Sequence, residues 1–556
     1  MNPPEGEGLK TKVSGSSGWV QWLPWVLLLV ALILRVGWLG IKPPHFDEGV
    51  NGWWVDYMRK EGHYPYNPFN YHGPFHFYVL FLMQTLFGRE VVAFRLPLVL
   101  INFATLVLLL RFVRYLPRRV VYPGAAAFAI SAGMLFYSRY AIHEAWLLFA
   151  LVLALRGAME MWTEGSRRGL WTAAAGITLM VLTKETYIIH LFAFALAWET
   201  LRRLERFSPS QWPARWERPV PQRWDRRALR NTVLVCLLVI VFFYSGGFSD
   251  FSLLHGIYLT FSAWFETGVT RADHGKPWYY WLQILLRHEW PALIGLLYSV
   301  RALWPGMNRF SRYLAIYGCG TLVAYTLIPY KTPWCIIVLI WPFFILFGEA
   351  VAALGKRWPK VAVAATALVL AGALTDSLRL NFEYPSEPEK EVFVIPALEE
   401  PLSTAKLISE EARYIYVQTL NDIDLLMRPL EALVRHDAGA YHLPGLVILP
   451  SNHPLPWMLG DFTAVGYYTN RFPKALDANF LVVDEKWFTL VDKGLHHAYF
   501  VTPFQLRDGM SPGRIYLRAS RFRQFFPGRE PEFVPSSHGE GQEEAGEAAP
   551  GEAAAP

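Results

Sequence analysis

WLPWVLLLVALILRVGWLGI (residues 22–41), followed within a few residues by HFDEGVNGWW (45–54), decides how this chain is read. The first stretch has the roughly 20 apolar residues that span a bilayer. The second places two adjacent carboxylates, Asp47 and Glu48, immediately beyond it. Carboxylates held against a membrane face are costly unless paired or employed. A membrane protein with a working carboxylate at the bilayer surface is therefore the expectation.

The rest of the chain extends that pattern. Of 556 residues, 53% are hydrophobic and 16% aromatic, too apolar for a multidomain soluble protein. Apolar segments recur near 22–41, 95–113, 120–137, 142–160, 170–183, 187–200, 231–248, 290–304, 313–330, 333–350 and 361–377. They predict an α-helical polytopic protein with about eleven spans and a long first outer loop. Trp and Tyr fit interfacial belts. The net charge of +6 comes mainly from Arg in loops, including nine Arg between 201 and 230, and reads as topology rather than nucleic-acid binding. Cys236, Cys319 and Cys335 fall in or beside apolar segments and form no disulfide or zinc pattern. No small-residue cleavage site follows the first apolar run, which is expected to remain as an anchor.

Two ambiguous stretches are resolved by the positive-inside rule. PFHFYVLFLMQTLFG (74–88) is too short to span and reads as a re-entrant or interfacial helix. Residues 170–200 read as two short spans with Lys184 and Glu185 at the outer turn, because burying that pair at mid-membrane is expensive. This order puts Asp47, Glu48, Arg139, His143, Glu144, Lys184, Glu185 and Lys331 on one, extracytoplasmic face of a plasma-membrane protein. Such a cluster suits an anionic, lipid-borne substrate. Asp47 is the candidate base, with Glu48 beside it. Arg139, His143, Lys184 and Lys331 are candidate phosphate partners, and Glu144, Glu185, His72 and Tyr71 support them. The first-loop histidines leave a divalent metal possible, but their spacing matches no tight motif. Trp53, Trp54, Tyr57, Tyr64 and Tyr66 read as interfacial packing.

Beyond residue 378 the apolar runs shorten to strand length: YIYVQTL (414–420), GLVILP (445–450), FLVVD (480–484) and RIYLR (514–518). NDIDLLMRPLEALVRH (421–436) reads as a helix. A small outer α/β domain over 379–535 is expected after a transmembrane domain over 22–378. Residues 1–21 and the acidic tail 536–556 read as disordered.

HFDEGVNGWW, YPYNPFNYHGPFHFY, SRYAIHEAW, LTKET, IPYKTPW and HPLPWML resemble the GT-C superfamily of membrane glycosyltransferases. The likeness is to its protein O-mannosyltransferase and aminoarabinose-transferase branch, and more closely to the flippase activity-associated protein family. The resemblance implies inverting transfer of a sugar from a polyprenyl-phosphate carrier to a protein or glycan acceptor. It places Asp47 at the catalytic acidic position of the first loop. The alternatives are a lipid-linked-glycan flippase or its accessory, and a structural or sensory protein whose outer domain binds partners. A transporter concentrates polar groups near the midplane; here they gather at one surface.

Overall fold

The computed structural model describes residues 19–70, 72–211, 225–270, 275–383, 392–393, 402–403, 414–469, 471–507 and 509–535. Tyr71, residues 1–18 and the tail 536–556 lie outside the described residues.

Sixteen helices precede the outer domain among the described residues: α1 (Trp19–Val36), α2 (Phe46–Glu61), α3 (Phe75–Phe87), α4 (Val91–Leu110), α5 (Arg118–Ile130), α6 (Ala132–Ser138), α7 (Glu144–Glu164), α8 (Arg167–Val181), α9 (Tyr187–Leu204), α10 (Arg226–Tyr244), α11 (His255–Thr270), α12 (Tyr280–His288), α13 (Trp290–Tyr298), α14 (Arg309–Leu327), α15 (Ile336–Arg357) and α16 (Pro359–Leu378). Each of the eleven expected segments contains a helix. Among the described residues, five helices are long and apolar enough to cross a membrane, or six if the α5–α6 pair, bent by 55°, counts as one span. α15 is the central post. Its residues from Ile336 to Gly348 are buried, and α5, α13 and α14 pack around it.

The α5–α6 bend frees carbonyls that an unbroken helix would satisfy. Arg35 of α1, itself fully buried, answers one of them. Its Nη1 donates to Ala129 O at 3.0 Å while Nε donates to Asn102 Oδ1 at 2.8 Å. On the other side of the bend, Glu289 accepts from Ser131 Oγ and from the Gly133 N–H at 2.7 Å.

The first outer segment is not a plain loop. Residues 46–61 form α2, because His45 and Glu48 close a capping box. The Asp47 N–H donates to His45 Nδ1, and the His45 N–H donates to Glu48 Oε2. The expected aromatic packing is present beside it. Trp54, Tyr64, Tyr66 and Phe77 are buried together with Tyr244, and Trp53 stacks on Tyr57. Residues 75–87 form the short apolar helix α3, and the 170–200 stretch breaks at Lys184–Glu185 between α8 and α9.

The C-terminal domain is a five-stranded mixed sheet: β1 (Gly445–Ile448), β2 (Val465–Tyr467), β3 (Phe480–Asp484), β4 (Tyr499–Phe504) and β5 (Gly513–Arg518), in the order β2-β1-β3-β5-β4. β1 runs parallel to β2 and β3, and β5 runs antiparallel to β3 and β4. Helix α17 (Asp424–His436) buries Leu426, Met427 and Leu430 against it. The strand expected at 414–420 is absent. That segment is held instead by the bundle. Tyr137 Oη donates to Tyr414 O, Tyr140 Oη donates to Gln418 Oε1, and His45 Nε2 meets Tyr416 O at 2.8 Å. Val417 adopts a φ of 48°, outside strand geometry.

HPLPWML (453–459) docks this domain on α2 through the short helix α18 (Leu455–Met458). Trp457 is buried, stacks on Phe94 at 4.5 Å and donates to Gln84 Oε1 at 3.0 Å. Arg89 reaches Asp56, Asp461 and Trp457 O from the rim. Gly49 and Gly52 face this contact one turn apart. A Cβ on Gly52 would lie 2.2 Å from the Trp457 ring, and one on Gly49 2.3 Å from Pro454. Gly52→Ala is therefore expected to destabilise the protein by about 1–3 kcal/mol, seen as a lower thermal midpoint with helicity retained.

Candidate active site

The two carboxylates singled out in the sequence have opposite surroundings. Glu48 is 1% exposed and saturated. Arg95 grips it with Nε to Oε1 at 2.9 Å and Nη2 to Oε2 at 2.6 Å. The backbone N–H groups of His45 and Ala141 both donate to it at 2.8 Å. Arg95 in turn donates to the carbonyls of Leu39, Lys42 and Pro43. Glu48 thus ties together the α1–α2 connection, α4 and the 139–143 loop. No lone pair is left for substrate in this arrangement, so its role is positioning. Lys42 and Arg59, the basic residues that flank it in sequence, are not its partners.

Asp47 is partly exposed in the first turn of α2, where the helix dipole favours a negative charge. Among the described residues, its carboxylate takes part in no hydrogen bond or ion pair, and only its N–H is engaged. Its surroundings come from distant parts of the chain. His45 packs edge-on against Tyr140 at 5.4 Å and Trp334 at 6.0 Å, so the SRYAIHEAW and KTPW segments converge on the start of α2. Burial lowers the His45 pKa from its ordinary value. From the C-terminal domain, the Arg507 guanidinium acts on Asp47 through space.

The remaining expected residues fall into three groups. The first is a buried ionic chain: Lys184 Nζ donates to Glu144 Oε1, Cys335 Sγ lies 3.8 Å from the same oxygen, and Glu185 Oε2 meets His72 Nδ1 at 3.2 Å. Burial opposes the charge on Lys184, but Glu144 and Glu185 outweigh it and hold the amine well above its ordinary pKa. His143 is buried with its ring 4.5 Å from His72 and 4.3 Å from His76, and its Nε2 has no hydrogen-bond partner. Among the described residues, no group of three or more His, Cys, Asp or Glu is arranged to hold a metal ion.

The second group is Arg139 alone. Its Nη1 donates to the carbonyls of Leu34, Arg35 and Gly37, and its Nη2 donates to Trp38 O. It caps the C-terminus of α1 through its two terminal nitrogens. It lies close to Lys42, Arg95, Tyr140 and Asn381. The third is Lys331, buried in its turn, with Nζ donating to Ile328 O at 2.5 Å and Lys276 O at 3.3 Å. An ammonium has three N–H donors, and these carbonyls take two.

Several residues here escaped the sequence reading. Arg95 had a usable signal, as a lone cation in an apolar run. Lys42, whose Nζ donates to Leu380 O at 2.8 Å and sits 4.4 Å from the Phe136 ring centre, had less. Tyr416 and Arg507 had none, since nothing local marks a residue that arrives from another domain.

Comparison with known proteins bears on this geometry. Residues 71–210 match the family model described as dolichyl-phosphate-mannose-protein mannosyltransferase. No curated protein matches this sequence. Among solved structures, ArnT from Cupriavidus metallidurans bound to undecaprenyl phosphate superposes with a TM-score of 0.55. The match has 15% identity and covers 90% of this chain and 98% of that one. The apo form of the same protein matches with the same score and identity, over 90% and 97%. The S. cerevisiae protein O-mannosyltransferase Pmt1-Pmt2 complex matches over 45% of this chain and 35% of that one, at a TM-score of 0.30 and 16% identity. By its mannosyltransferase-like segment at 71–210 and its ArnT-like fold over 90% of its length, the chain resembles the GT-C superfamily of membrane glycosyltransferases.

Proposed function

We propose that this protein is a multi-pass membrane glycosyltransferase that moves a sugar, with inversion, from a polyprenyl-phosphate donor to an acceptor hydroxyl on the extracytoplasmic face. The observation that carries the reading is the contrast at the start of α2: a saturated Glu48 beside an Asp47 whose carboxylate has no partner. A phosphate leaving group is already a stable anion and needs cations more than an acid. The acceptor hydroxyl is a poor nucleophile and needs a base. Asp47 takes the acceptor proton as the hydroxyl oxygen attacks the anomeric carbon and the bond to phosphate oxygen breaks. Lys184 and Lys331 each have an N–H left over after their hydrogen bonds within the protein and supply the cations for that phosphate. His143, with its unpartnered nitrogen, and His72 border the same loops. Arg139 and Glu48 hold the backbone on which these residues sit.

Lys184→Met is expected to cost about 3–5 kcal/mol, because it leaves Glu144 buried and unpaired. The double change Lys184→Met with Glu144→Gln should regain most of that stability. If Lys184 also contacts phosphate, the double variant stays inactive at a near-normal melting temperature. Recovery of turnover along with stability would restrict Lys184 to a structural role.

The whole reading is tested with purified protein in liposomes and a panel of labelled polyprenyl-phosphate sugars. Release of free polyprenyl phosphate together with an inverted glycosidic product is expected. Translocation of the carrier without covalent transfer would support the flippase alternative instead.

A further inference from the structure

Arg507 is the one feature of the outer domain that the proposed reaction does not yet use. It is 5% exposed and fixed by its backbone: residue 507 bridges Thr419, and the Leu420 N–H donates to Leu506 O at 3.0 Å. Its guanidinium lies 4.5 Å from the ring centre of Phe46, the residue before Asp47. A guanidinium offers five N–H donors. The partners of this one are poor: Ser451 Oγ at 2.6 Å, and the Met510 thioether at 3.2–3.3 Å from Nη2 and Nε.

Of the other buried arginines, Arg95 has Glu48, Arg309 has Glu205, Arg139 and Arg312 are held by carbonyls, and Arg35 by Asn102 and the carbonyls of Ala31 and Ala129. No carboxylate approaches Arg507 to ion-pair distance among the described residues, although Asp47 acts on it through space. A buried charge left in that state costs several kcal/mol. Beside it, the His453 ring lies 5.5 Å from Phe46, and its buried Nδ1 has no hydrogen-bond partner. Burial and the nearby Arg507 push the His453 pKa down to about 4, so the ring is neutral at pH 7. A guanidinium without a carboxylate partner and an imidazole with an unpartnered nitrogen therefore flank the dipeptide that carries the candidate base, among the described residues.

We propose that Arg507 and His453 form an anion site that holds a phosphoryl group of the substrate beside Asp47. This rests on the glycosyltransferase reading and assigns the outer domain a direct part in substrate binding. The planar fork of arginine suits two phosphoryl oxygens at once, and a neutral imidazole N–H can donate to a third. The phosphoryl group belongs either to the lipid carrier or to the acceptor.

The test measures binding of undecaprenyl phosphate and of inorganic phosphate to the full-length protein in nanodiscs, for wild type, Arg507→Gln and Arg507→Lys. Wild type is expected to bind at least one probe, and Arg507→Gln to weaken that binding by about tenfold or more. Arg507→Lys keeps the charge, loses the fork, and should recover only part of the affinity. It also serves as the informative variant if Arg507→Gln fails to fold. Loss confined to undecaprenyl phosphate assigns the site to the carrier. Loss of inorganic phosphate alone assigns it to a phosphoryl group on the acceptor. Wild-type affinity in folded variants, or a wild type that binds neither probe, overturns the site. Phosphate binding through Arg507 without any sugar transfer would retire the enzyme reading but leave the site standing. Undiminished transfer and affinity in Arg507→Gln would remove the site alone.

Discussion

Asp47→Asn is expected to lower sugar transfer by about 10²–10⁴-fold, the usual contribution of a general base, with the melting temperature unchanged. The side chain changes by one atom and keeps its size. Since the Asp47 carboxylate makes no hydrogen bond or close ion pair among the described residues, its replacement removes only the longer-range attraction to Arg507. The loss should therefore fall on turnover and spare donor binding. Glu48→Gln is the matched control, because it disturbs the saturated carboxylate one residue away and should show first as lost stability. Full turnover in Asp47→Asn, measured on purified protein with labelled donor, would refute the base assignment.

Arg95→Met is expected to destabilise the protein by about 3–5 kcal/mol, as when one partner of a buried ion pair is removed. The change strands Glu48 at 1% exposure and frees the carbonyls of Leu39, Lys42 and Pro43. Adding Glu48→Leu should not restore stability, in contrast to simple buried pairs. The His45 and Ala141 N–H groups would then lose their acceptor inside the protein. Thermal unfolding of both single variants and the double variant, read as a double-mutant cycle, tests this. A double variant as stable as wild type would show that Glu48 is replaceable and that the capping box does not organise the loop.

Where the signal was local, it was legible. Helices cover each long apolar run, because a membrane-scale hydrophobic segment satisfies its backbone only as a helix. The break at Lys184–Glu185 was readable for the same reason: a charged pair resists the apolar interior. α2 was misread as loop, since its helix signal lies in a His45–Glu48 cap rather than in the usual Ser, Thr, Asp or Asn. Residues 414–420 have strand composition, yet they lie along the bundle, because Tyr137, Tyr140 and His45 claim them before any sheet neighbour does. Arg139 reads in sequence as a phosphate ligand; that it also caps α1 depends on where α1 ends in space.

The amino-acid order alone determined a helical membrane protein with charges between its apolar runs, because hydrophobic length and charge placement are properties of neighbouring residues. Only the tertiary structure decided which of Asp47 and Glu48 is spent and which is free. The groups that saturate Glu48 come from Arg95 and Ala141, and the cation facing Asp47 comes from Arg507. Hydrogen bonds and ion pairs act over a few ångströms in space, whatever the distance along the chain.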